Sequence, residues 1–158
     1  VKKKKWKYVF LCLSLWIVVI GLKIYDIYRV KDLDDAISFD EQSFTSMGFT
    51  KDKSLIRGDQ AYEWFTKDPD TVKELMNFLS QYKVKKEPGK VYEKHLNNSE
   101  PIEFYISNQG KPIIVDFYKN DVHVFVGHYY KVLNGPIDMN WIKEFSDKHM
   151  EEGILNEG

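Results

Sequence analysis

Apolar residues in this chain fall into three patterns. The first is an unbroken run: the fifteen residues from Tyr8 to Leu22, YVFLCLSLWIVVIGL, carry no charge. Widened to residues 6–25 and wound as a helix with about 1.5 Å of rise per residue, it reaches about 30 Å, the thickness of a hydrocarbon core. Lys7 and Lys23 then snorkel to the head groups, and Trp6, Tyr8, Tyr25 and Tyr28 stand where interfacial aromatics belong. Residues 1–30 are expected to be a basic cytoplasmic tip and a transmembrane anchor that meets the lipid bilayer through residues 6–25. A cleaved signal peptide shares the basic start and the apolar run. Its nearest small-residue site, Val19-Ile20-Gly21, lacks the A-x-A-like form, so the uncleaved anchor is the reading adopted.

The second pattern is helical. Val72, Leu75, Met76 and Leu79 recur at i, i+3, i+4 and i+7, and Phe78 and Tyr82 widen the stripe. Asp68 is a natural N-cap, Pro69 suits the first helical position, and Asp70 and Glu74 place negative charge near the helix start. A closing helix is expected after Asp138, with Met139, Ile142, Phe145 and His149 on one face and Gly153 as its stop.

The third pattern is alternation. Short strands are expected in SFTSMGFT, SLI and AYEWFT (residues 43–50, 54–56 and 61–66), with Arg57-Gly58-Asp59-Gln60 as a turn. Arg57-Gly58-Asp59 also spells an adhesive tripeptide, but hairpin chemistry accounts for it. Residues 91–133 read as an antiparallel meander. A turn at Gln109-Gly110 sets Ile106 opposite Ile113 and Phe104 opposite Val115. A second at Asn120-Asp121 sets Phe117 opposite Val124 and Val115 opposite Val126. Both choices put the apolar residues on one side. Gly127 is expected to bend or bulge the last strand, which His128–Val132 continues, and Asn134-Gly135-Pro136 ends the meander.

The fold class is therefore α+β: a transmembrane helix, then a small domain whose antiparallel β-meander of four to six strands is covered by two helices. Residues 31–42 form an acidic connector, residues 43–153 the extracytoplasmic domain, and residues 154–158 a tail. The lysine-rich segment KVKKEPGK, residues 83–90, is read as a solvated loop; contact with anionic lipid or wall polymer is its alternative reading.

Charge changes the picture. The formal net charge is −1, yet the first 31 residues hold eight basic side chains and one acidic one, Asp26. The acidic remainder argues against nucleic-acid binding, which needs clustered Lys and Arg. Five lysines precede the apolar run, whereas Lys23, Arg29 and Lys31 follow it among acids. The positive-inside rule then sets a single-pass cell-membrane protein with its amino terminus in the cytoplasm and its domain outside. The one cysteine, Cys12, lies inside the apolar run, which excludes an intramolecular disulfide and a Cys-based zinc site. The lysine bias, 21 of the 23 basic residues, suggests AT-rich bacterial coding.

Candidate chemistry is sparse. His95, His123, His128 and His149 show no metal-ligand spacing, no phosphate-binding or nucleophile motif occurs, and no motif ties the chain to a named family. No metal or other cofactor is expected. One constellation follows from the strand register. Glu103 stands opposite Asp116 and Tyr118 opposite His123, all four on the outer, non-core face with Tyr105, Ser107, Ile114 and Phe125. Facing carboxylates repel unless water, a cation or a proton intervenes. The expected function is noncatalytic: a membrane-anchored extracytoplasmic binding or accessory domain for a peptide, a wall component or a membrane-protein partner. One alternative is a tethered hydrolase or cation-binding domain using the Glu103/Asp116 face. The other is a structural subunit of an envelope complex.

Overall fold

A computed structural model of the chain describes residues 2–52, 56, 61–89, 101–109, 111–125 and 128–156, with side chains between Trp6 and Met150. The Arg57–Gln60 turn, His95, Gly110, Val126 and Gly127 lie outside the described residues, as does nearly all of the SLI strand. The chain opens with α1 (Lys2–Tyr28). From Trp6 to Tyr28 it is 23 residues long, none of its side chains is buried, and it is long and apolar enough to cross a membrane.

Two residues after α1 the folded part begins, with β1 (Lys31–Asp32) and α2 (Leu33–Ile37). Leu33 is completely buried and Ile37 nearly so. The connector expected at residues 31–42 thus supplies a strand and two core side chains. Its acids disguise this, because only every fourth residue (Leu33, then Ile37) turns inward.

The remaining strands are β2 (Phe44–Thr50), β3 (Trp64–Thr66), β4 (Lys83–Glu87), β5 (Ile102–Asn108), β6 (Ile113–Phe117), β7 (Asp121–Val124) and β8 (His128–Val132). They form one sheet of eight strands in the order β1-β4-β8-β7-β6-β5-β2-β3, every neighbouring pair antiparallel. The class is α+β as expected, but eight strands exceed the expected four to six. β2 and β3, expected as strands, join the sheet beyond β5, and the unforeseen β1 and β4 extend it beyond β8. β4 replaces the expected basic loop; its Val84 is wholly buried and pairs with Val132, while Lys83 and Lys85 are exposed on the opposite face. Both edge strands are very short, which limits the backbone left open to stray pairing.

One side of the sheet is the core. Phe49, Phe104 and Phe117, on adjacent strands, are completely buried and in ring contact in sequence, at 6.5 Å and 5.1 Å between centroids. Two helices cover this side, α3 (Pro69–Leu79) and α4 (Met139–Asn156). Asp68 caps α3 as expected, its Oδ1 accepting from Asp70 N at 3.0 Å, and Thr71, Val72, Leu75, Met76 and Leu79 are buried. Asp138 caps α4, accepting from Asn140 N and Trp141 N. Phe78 stacks on Trp141 at 3.7 Å and locks the two helices together, while Phe145 reaches Phe49 and Trp64. Gly153 does not stop α4, which runs to Asn156 and into the expected tail.

Candidate functional site

The side of the sheet away from α3 and α4 presents one straight row of directly paired positions across six strands. In order they are Thr50 (β2), Glu103 (β5), Asp116 (β6), His123 (β7), Tyr129 (β8) and Glu87 (β4). A row of this kind needs only that strand parity be kept from β2 to β4, since alternate side chains share a face.

The register sets the pairings. Glu103 stands opposite Asp116, as the first turn requires. The second hairpin is two residues shorter than expected: Phe117 pairs with Val122 and Val115 with Val124. Tyr118 N donates to Asp121 O at 2.9 Å, so Lys119-Asn120 makes the turn and not Asn120-Asp121. A slip of two preserves each residue's face but exchanges partners. His123 therefore lies opposite Asp116, and Tyr118 lies beside Asp121.

His123 is held by its neighbours. Its Nδ1 is 3.3 Å from Asp116 Oδ2, its ring stacks on Tyr129 at 4.5 Å and 13°, and Phe125 leans on it at 5.0 Å. The contact to Asp116 is long for a charge-assisted bond, and its sense depends on the imidazole tautomer. Thr50, at the start of the row, is 2% exposed, and its Oγ1 has no hydrogen bond among the described residues. Beyond the row, Tyr62 stacks on Tyr105 at 5.6 Å and covers Gly48. A Cβ at Gly48 would lie 2.5 Å from the Tyr62 ring, so this close approach needs glycine. Burial works to raise the Tyr62 hydroxyl above its ordinary value, and the charge of Glu103 adds to that. Phe65 and Phe125 stand 56% and 52% exposed on this same face.

Of the four candidates, Glu103, Asp116 and His123 come together as consecutive positions of the row, and Tyr118 falls one row away. Thr50, Tyr129 and Glu87 belong to the row and were missed. Strand alternation separates neighbours along β8: Tyr130 is buried in the core and Tyr129 lies outside. Among the described residues no three His, Cys, Asp or Glu side chains are arranged to hold a metal ion.

A second histidine is engaged elsewhere. His149 Nε2 is 3.0 Å from Glu74 Oε2, and Lys148 Nζ donates to the same carboxylate, so α4 grips α3 there. Burial alone would raise Glu74, but the hydrogen bonds and charges of Lys148 and His149 outweigh it and hold the carboxyl below its ordinary value. Two surface depressions lie away from the row. One of about 420 Å³ is lined by Lys119, Ile137, Asp138 and Asn140 at the start of α4; another of about 260 Å³ is lined by Asp34, Asp35, Ser38, Phe39 and Met76.

No family model matches this chain, and neither a curated protein nor a solved structure does.

Proposed function

We propose that this protein is a membrane-tethered binding domain. It holds the outer sheet face close to the outer surface of the cell membrane, for a protein or peptide partner in that layer. The observation that carries the reading is α1: exposed along its whole apolar length, it enters the folded domain after only two residues. In water such a helix would leave well over a dozen large apolar side chains hydrated, each worth about 1.5–3 kcal/mol on burial; a bilayer removes that cost. The lysines before the span favour a cytoplasmic amino terminus. Phe65 and Phe125 flank a row with carboxylates at Glu103, Asp116 and Glu87, a surface suited to a segment carrying apolar and basic side chains.

The hydrolase alternative has less support, because Asp116 already engages His123. External protease on intact cells tests the tether and its orientation: the domain should be removed while α1 stays with the membrane. A photocrosslinking residue at Phe65 or Phe125 should then give one shared adduct in native membranes, absent when the same residue replaces Asn140. A fully protected domain overturns the orientation, and adducts equal at all three positions overturn the binding face.

A further inference from the structure

Only two residues join α1 to β1, so whichever part of the sheet lies beside β1 is held near the end of α1. That part is β4. Lys31 pairs with Val84 and Asp32 with Lys83, and β4 runs antiparallel to β1. Carrying this register back toward α1 puts Lys85 level with Val30 and Lys86 level with Arg29. β8 follows in step: Lys131 is directly opposite Lys85, and Tyr130 opposite Lys86. This corner of an otherwise acidic domain therefore gathers four lysines, Lys31 and Lys86 at core-side positions opposite Val84 and Tyr130, and Lys85 and Lys131 on the other face.

Two observations place these cations in two close sets, one on each face of the corner. Lys85 and Lys131 face each other as a like-charged cross-strand pair, an arrangement that weakens a sheet unless an anion lies between. His128, on the same strand end, is held below its ordinary value by burial and then by the charges of Lys86 and Lys31, which places all three within electrostatic reach. Of the nearby acids, Asp26 pairs with Arg29 and Asp32 with Lys83, while Asp121 stands directly opposite Lys131 on β7. Glu87, the last residue of β4, lies half-buried in the outer row. Among the described residues no ion pair within 4.0 Å joins Lys31, Lys85, Lys86 or Lys131 to an acid.

We infer that the corner formed by Lys31, Lys85, Lys86 and Lys131 rests on the membrane that α1 crosses and binds the anionic head groups of its phospholipids. The inference rests on the spanning reading of α1. The occupant is identified by charge complementarity and by continuity with the membrane-spanning helix, because a bilayer surface begins where α1 ends. Lysines suit this role: each is a strongly hydrated point charge on a flexible stem, which tolerates a fluid surface of phosphates. The contact orients the domain, fixing the height and direction at which the outer row is presented.

The test uses the full chain in nanodiscs of phosphatidylcholine alone or mixed with phosphatidylglycerol, with each lysine's acylation rate read by mass spectrometry. The four corner lysines should react about fivefold more slowly in the anionic discs. High salt should remove that protection, since a surface potential is screened within about 10 Å at 0.1 M. Lys119 and Lys143, exposed elsewhere, should react equally in both. Lys85→Glu with Lys86→Glu should abolish the protection of Lys31 and Lys131. Equal rates in the two lipids, with the chain incorporated, overturn the head-group contact and leave the anchor standing. A chain that does not enter the discs overturns the spanning reading and this inference with it.

Discussion

Asp116 and His123 face each other across β6 and β7, with Nδ1 3.3 Å from Oδ2 and side chains that are only 16% and 14% exposed. On the other side of Asp116 stands Glu103, so one carboxylate is shared between a like charge and an imidazole. The stacking of His123 on Tyr129 continues the row to β8.

This arrangement separates charge from packing. Asp116→Asn keeps an oxygen for His123 and removes the charge facing Glu103, so stability should change by under about 0.5 kcal/mol. His123→Ala removes the ring stacked on Tyr129 and should cost about 1–2 kcal/mol. Calcium should leave the melting temperature unchanged. Urea titration measures both variants; a larger loss from Asp116→Asn would mean that the charge, not the stack, holds the row.

Leu33 tests where the domain begins. It is completely buried, so Leu33→Ala should cost about 2–5 kcal/mol, as should Leu75→Ala in α3. Asp35→Ala, at an exposed position between them in chain order, should stay within about 0.5 kcal/mol. A chain starting at residue 31 should melt cooperatively, whereas one starting at residue 40 lacks β1, Leu33 and Ile37 and should not. Circular dichroism on heating distinguishes the two.

Gly48 and Tyr62 should be coupled. Gly48→Ala puts a Cβ into the Tyr62 ring, and the ring can move only by leaving Tyr105. The substitution should cost about 1–3 kcal/mol, the usual range for overpacking. In a Tyr62→Ala background most of that cost should vanish. Additive losses in the double-mutant cycle would show that the ring does not occupy this place.

Acid should loosen the grip of α4 on α3. Glu74 is held below its ordinary value, with Lys148 and His149 outweighing burial, and Asp68 is lowered chiefly by the backbone N–H of Asp70. A carboxyl depressed in the folded state contributes stability that is complete above its unfolded value, about 4.3 for Glu and 3.9 for Asp. That contribution disappears as the pH falls through the folded value. Stability measured by urea should therefore decline below about pH 4.5, and Glu74→Gln should flatten the decline. Asp68→Ala should cost about 0.5–2 kcal/mol at neutral pH through loss of the cap. An unchanged profile in Glu74→Gln would assign the acid sensitivity elsewhere.

The sequence by itself determined the elements whose signals are local. The Tyr8–Leu22 run marked α1, Asp68-Pro69 and the Val72–Leu79 stripe marked α3, and alternation assigned the described residues of β5, β6 and β7 to the correct faces. Tertiary structure alone decided the partners. Phe117 opposite Val122 and Phe117 opposite Val124 bury the same residues, because a two-residue slip conserves parity, so the apolar pattern could not choose between them. The choice moved His123 from Tyr118 to Asp116. β1 and β4 were equally hidden, for each offers at most one core side chain to a local pattern. They become strands only because β8, about 45 residues after β4 in the chain, supplies the hydrogen-bonding edge on which β4, and then β1, can pair. Pairing between distant segments is a property of the closed sheet, and a chain read in order cannot display it.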